Sequence, residues 1–222
     1  MTIISIEGNI GSGKESVLNV LKKYLKDDVT FLEDTVYNWN DKSLLSNFYK
    51  NPERWSFCIQ IQSITQKYKR FMEILPHKKS EFVMFTHRSP MSDKSCFKKA
   101  CTDMKYMTDK ENEIYNSVFE THRIPKFHGL IYLKSNVNMC YENIISRKDK
   151  MENGLNFDFI NRINDNYETW INKLKEENVV ILEIDIEEYR DIEGNELLEE
   201  RLMEMILKKF EILKHTKKKM SN

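Results

Sequence analysis

Ile3-Ile4-Ser5-Ile6, followed by Gly8-Asn9-Ile10-Gly11-Ser12-Gly13-Lys14-Glu15-Ser16, is the stretch that decides the reading of this chain. The first four residues form a short apolar run suited to a buried strand. The residues after Ser16 place Val17, Leu18, Leu21 and Leu25 on one face of a helix. Between them lies GxxxxGK in its strand, loop and helix context, the pattern of a phosphate-binding loop. Gly8, Asn9, Gly11, Ser12 and Gly13 supply a backbone that can curl around phosphate oxygens. Lys14 reaches toward the outer phosphates, and Ser16 falls in the first helical turn. The motif ordinarily continues with Ser or Thr, whose hydroxyl holds Mg2+, and here that position is Glu15. A carboxylate can ligate the metal, but near phosphate it repels by roughly 4 kcal/mol at about 4 Å and an effective dielectric of about 20. Glu15 is therefore either an altered metal site or a lesion.

Outward from this loop, four further runs resemble the first: 29–32, 82–85, 130–133 and 179–184. Helical stretches separate them, at 15–25, from Pro52 through Trp55, Ile59, Gln62 and Gln66, and at 139–147, 157–177 and 196–213. Alternating strand and helix predicts an α/β fold with a mainly parallel sheet. With 6 Gly and 4 Pro in 222 residues, punctuation is sparse and long helices are expected. No repeat or linker interrupts the chain, so residues 1–222 read as one domain. The final helix places Glu196, Glu199 and Glu200 early and Lys208, Lys209 and Lys214 late, an order that suits the helix dipole. A basic tail, 215–222, follows.

The 35 Lys and Arg balance 35 Asp and Glu, which argues against binding nucleic acid by global attraction. Only 8 of those cations are Arg, so each is a candidate for phosphate or carboxylate recognition. Cys58, Cys96, Cys101 and Cys140 lack metal-site or disulfide-framework spacing. No apolar run approaches the roughly 20 residues of a membrane span, and the N-terminus has no secretory pattern. A cytoplasmic protein without nucleic-acid or membrane partners is expected.

Several segments together resemble the deoxynucleoside kinase family. Ile6-Glu7-Gly8-Asn9-Ile10 is similar to its opening motif. Tyr49-Lys50-Asn51-Pro52-Glu53-Arg54-Trp55-Ser56-Phe57, with Gln60, resembles its Y-x-x-P-x-R-W-[SA]-F-x-x-Q block. Arg88-Ser89 with Ser92-Asp93 resembles its E-R-S-x-x-S-D. Arg147 through Glu152-Asn153-Gly154 resembles its lid, at about 143–155, and Tyr167-Glu168-Thr169-Trp170 the helix beyond. The matches run in order from about residue 3 to 185. The resemblance implies a P-loop kinase fold, with a five-stranded parallel sheet flanked by helices on both faces, usually as a homodimer. It implies transfer of the γ-phosphoryl of ATP to the 5′-hydroxyl of a deoxynucleoside, with Mg2+.

The resemblance also assigns roles. Asp34, with Glu33 beside it, stands where the family has its catalytic base in E-P-x-x-x-W; Thr35 replaces the Pro. Gln60 would bond the base, Phe97 would stack on it and Trp39 would line the pocket. Tyr49 and Glu152 would hold the sugar 3′-hydroxyl, while Lys67 and Asp93 replace an Arg–Asp pair near the base. Arg88 and Arg147 would contact phosphate alongside Lys14. The departures fall on the phosphoryl-transfer side: Glu15 for the metal hydroxyl, His87 for the acid of E-R-S, and Asn143 and Asp149 for two lid arginines. Two other readings stay open. One is a catalytically impaired relative that binds nucleosides or nucleotides or serves as a scaffold; the other is a nucleoside monophosphate kinase, against which the Y-x-x-P-x-R-W block argues.

Overall fold

A computed structural model describes residues 2–25, 29–33, 43–77, 82–149, 152 and 154–210. Five parallel strands form one sheet: β1 (Thr2–Glu7), β2 (Val29–Leu32), β3 (Val83–His87), β4 (Gly129–Lys134) and β5 (Ile181–Asp185). Their order is β2-β3-β1-β4-β5, with Ser5 beside Thr86 and Leu130 in register. All five strands fall where the apolar runs predict them, with ends shifted by no more than two residues.

Alternation along the strands gives the sheet two buried faces. Ile4, Ile6, Phe85, Ile131, Leu133 and Ile184 face one way. They pack against Val17, Leu18 and Leu21 of α1 (Lys14–Tyr24) and Leu202, Met203 and Ile206 of α9 (Glu196–Phe210). On the other face, Ile3 and Met84 meet Phe71 of α3 (Pro52–Ile74), while Leu130 and Tyr132 join the cluster containing Ile163 and Tyr167 of α8 (Phe157–Glu176). The family-type arrangement implied by the sequence is thus the observed one: a parallel sheet between helical layers.

The helix α2 (Ser43–Lys50) precedes α3, which starts where Asn51 caps it and Pro52 occupies its first turn. After β3, Ser89 and Ser92 form a reciprocal capping box around α4 (Pro90–Ser92). The helix then widens into a π turn, Asp93–Lys98, and resumes as α5 (Lys99–Asp103). A second capping box, Thr108 with Glu111, starts α6 (Asp109–Thr121). α7 (Val137–Arg147) ends at Lys148, so the first part of the expected lid is the last turn of this helix. The expected basic tail, and residues 211–213 of the expected C-terminal helix, lie outside the described residues. No helix among the described residues is long and apolar enough to cross a membrane.

Candidate active site

A cleft opens at the carboxyl ends of β1 and β3, the usual ligand position in open parallel sheets. It holds about 920 Å³ of empty space, part of it open to solvent. One end is the β1–α1 loop with the start of α1, from Ile10 to Glu15; the other is walled by α2, α3, the π turn and α8.

At the loop end, Gly11 and Gly13 adopt φ of 78° and 76°, the left-handed region that lets the backbone curl. The loop is anchored on both flanks. Asn9 Nδ2 donates to the Ile160 carbonyl of α8 at 3.0 Å, and Asn143 Nδ2 of α7 donates to the Gly11 carbonyl at 2.9 Å. Lys14 is 4% exposed, and its ammonium donates to the Asn9 carbonyl and to Ser12 Oγ. Glu15 is exposed and lines the cleft beside it. Gly8, Asn9 and Ser16 stand behind the lining rather than in it.

At the other end, Tyr49, Gln60, Lys67, Asp93, Phe97 and Glu152 all line the same cleft. Lys67 Nζ lies 2.6 Å from Asp93 Oδ1, with both side chains almost fully buried. Ser63 Oγ donates to the other Asp93 oxygen at 2.9 Å. Sequence reasoning missed Ser63; it lies one helical turn before Lys67, a spacing that brings both onto one face of α3. Gln60 Nε2 points back to Cys101 Sγ at 3.7 Å. Burial pushes the Cys101 thiol up to about 12, so it stays protonated.

Between the two ends sit His87 and Arg88, both lining the cleft. Arg88 has a positive φ of 63°, and its guanidinium lies over the Phe97 ring at 4.6 Å. The expected base-stacking residue and an expected phosphate contact are therefore in mutual contact. Below them Glu7 is completely buried. Its carboxylate accepts from the Ser89 N–H at 2.9 Å and the Tyr167 hydroxyl at 3.2 Å. Burial pushes the Glu7 carboxyl up, opposed by Ser89 and Ser92 and by the charges of Lys67 and Arg88. Arg147 lies 3.7 Å from Glu152 across the mouth.

Glu33 is not among the residues lining the cleft. Its carboxylate takes the Lys22 ammonium, which holds it below the usual carboxylate range, with smaller contributions from Arg70 and His87. Asp34 and Trp39 lie outside the described residues.

The deoxynucleoside kinase family model matches residues 4–211, nearly the whole chain. The chain belongs to the deoxynucleoside kinase family. It is 32% identical over 186 residues to a probable deoxycytidine kinase of fowlpox virus, covering 82% of this chain and 77% of that protein. A putative kinase of invertebrate iridescent virus 3 is 30% identical over 197 residues, covering 88% and 94%. Human deoxycytidine kinase is 27% identical over 195 residues, covering 76% and 74%. Of the positions expected to depart from the family pattern, Glu15 and His87 line the cleft, whereas Asn143 braces the loop backbone.

Proposed function

We propose that this member of the deoxynucleoside kinase family transfers the γ-phosphoryl group of ATP to the 5′-hydroxyl of a deoxynucleoside. The observation that carries this reading is one cleft with two chemically distinct ends. The glycine loop and Lys14 are at one end, Gln60, Lys67, Asp93 and Phe97 at the other, and Arg88 between them. The first end suits a triphosphate and the second a base.

In this reading Gly8, Asn9, Gly11, Ser12, Gly13 and Ser16 build the cradle, and Lys14, Arg88 and Arg147 neutralise phosphate charge. Gln60, Lys67 and Asp93 bond the base edge, Phe97 and Trp39 enclose it, and Tyr49 and Glu152 hold the sugar. The 5′-hydroxyl gives its proton to Asp34 or Glu33. A lowered proton affinity makes Glu33 the weaker base while Lys22 holds it, which favours Asp34. Mg2+ is ordinarily held by substrate phosphates and one or two carboxylates. Glu15, exposed at the cleft, fits that demand, and the bound ion supplies charge neutralisation for the transferred group. The protein acts as a single-domain homodimer in the cytoplasm, without nucleic-acid or membrane partners.

A second reading is a nucleoside-binding relative that does not catalyse. The use of Asn143 as a brace rather than a cation favours it. Transfer from γ-labelled ATP to each of the four deoxynucleosides, with Mg2+ and then Mn2+, separates the two. Transfer that disappears in Lys14→Ala supports the kinase. Binding of a deoxynucleoside without transfer overturns it in favour of the second reading.

A further inference from the structure

Glu7 ends β1, is fully buried, and has no part in the chemistry above. What it touches is the turn that carries Arg88. A left-handed conformation is unfavourable for a residue other than glycine and persists where its surroundings hold it. Two bonds from consecutive residues of β1 hold this one. The Arg88 N–H donates to the Ile6 carbonyl at 3.0 Å, and the next N–H, of Ser89, donates to Glu7 Oε1 at 2.9 Å. From there the chain enters the Ser89–Ser92 capping box and the π turn bearing Phe97, over which the Arg88 guanidinium lies. The second Glu7 oxygen takes the Tyr167 hydroxyl, and Tyr167 meets Phe97 edge-on with centroids 6.1 Å apart.

We propose that Glu7 is a positioning residue: by accepting the Ser89 N–H it fixes the left-handed turn at Arg88 and so holds the guanidinium between the two ends of the cleft, where a transferred phosphate would lie. The proposal rests on the reading of Arg88 as a phosphate contact. It assigns Glu7 no contact with substrate. The requirement is for an acceptor in that place, which the amide oxygen of a glutamine also supplies.

The test measures affinity for the tightest-bound of the four deoxynucleosides and for its 5′-monophosphate, by titration calorimetry. The ratio of the two isolates the phosphate contribution and needs no turnover. Glu7→Met keeps the buried volume and removes the acceptor; it is expected to lower the ratio about tenfold, the scale of one hydrogen bond to a charged group. Glu7→Gln is expected to restore the ratio to within about threefold. On an Arg88→Ala background Glu7→Met is expected to change nothing further, because the two act as one unit. Loss of deoxynucleoside and monophosphate affinity alike, or an equal loss with and without Arg88, overturns the proposal. An Arg88→Ala variant that leaves the ratio unchanged sinks the underlying reading of Arg88 instead, and the proposal with it. Should Glu7→Met not fold, the same ratio measured on Glu7→Asp, whose carboxylate stops one methylene short of the Ser89 N–H, decides. A lowered ratio is expected, and a ratio equal to that of the unaltered protein overturns the proposal.

Discussion

Asn143 of α7 donates from Nδ2 to the carbonyl of Gly11 at 2.9 Å and so ties this helix to the β1–α1 loop. A neutral hydrogen bond of this kind contributes about 0.5–1.5 kcal/mol. Asn143→Ala is expected to raise KM for ATP by about 2- to 10-fold and leave KM for the deoxynucleoside unchanged. Steady-state kinetics with each substrate varied in turn checks this; an equal rise in both constants would show that the brace acts on the whole cleft.

Gly11 also packs directly against the backbone of α7. A Cβ there would overlap the Cys140 carbonyl oxygen, and its φ is 78°. Gly11→Ala is therefore expected to destabilise by at least about 2 kcal/mol from backbone strain and overlap together. For a chain of this size that corresponds to a fall in Tm of roughly 4–8 °C. A thermal melt within about 1 °C of the unaltered protein would contradict the packing.

Lys67 and Asp93 form an ion pair at 2.6 Å with both side chains buried. Removing one partner strands a charge, at a cost of about 3–5 kcal/mol. Asp93→Leu is expected to lower the urea midpoint accordingly. Adding Lys67→Met should recover most of that stability, because an apolar pair leaves no charge uncompensated. Recovery of stability without recovery of nucleoside binding would separate the two duties of the pair.

Glu199 is a buried carboxylate that accepts from Lys23, from the Tyr24 hydroxyl at 3.2 Å and from the Gly194 N–H at 3.0 Å. The Lys23 bond is the main cause of a pKa below the ordinary 4.5. The folded state thus favours the ionised form. Its contribution is full above about pH 4.5 and is lost as pH falls through the lower folded value. In denaturation curves taken as a function of pH, Glu199→Gln should narrow the gap to the unaltered protein on acidification. A gap that stays constant from pH 7 to pH 3 would refute this linkage.

The strands and the loop were legible because their signals are local. Apolar runs mark β1 to β5, and glycine spacing before Lys14 marks the cradle. Three helical stretches, α2, the α4 to α5 run and α6, were not assigned. For α6 a signal existed in the Thr108–Glu111 box, but Asp109 to Glu113 is polar and hid the apolar face of Ile114, Tyr115, Val118 and Phe119. Nothing local marks the π turn. In the site, Gln60, Lys67, Asp93, Phe97, Tyr49 and Glu152 line one cleft although they are spread from residue 49 to residue 152. The roles of Glu7 and Asn143 were not legible, because their partners, Ser89 and Gly11, are far away in sequence. Asn143 read as a missing cation; only the folded chain reveals an amide at work on a carbonyl.

The π turn at Asp93–Lys98 has a consequence for chain length. Such a turn is an α-helix with one residue too many, and it appears mostly as a single bulge at functional sites. Shortening it by one residue would let the helix close up regularly while Ser92 before it and Ala100 after it kept their places in the core. The residues that would shift are those inside the turn, and Asp93 and Phe97, which bound most of it, both line the cleft. Here the fold could accept a shorter gene and the cleft could not. What separates them is a spacer, and no substitution at any single position reproduces its loss.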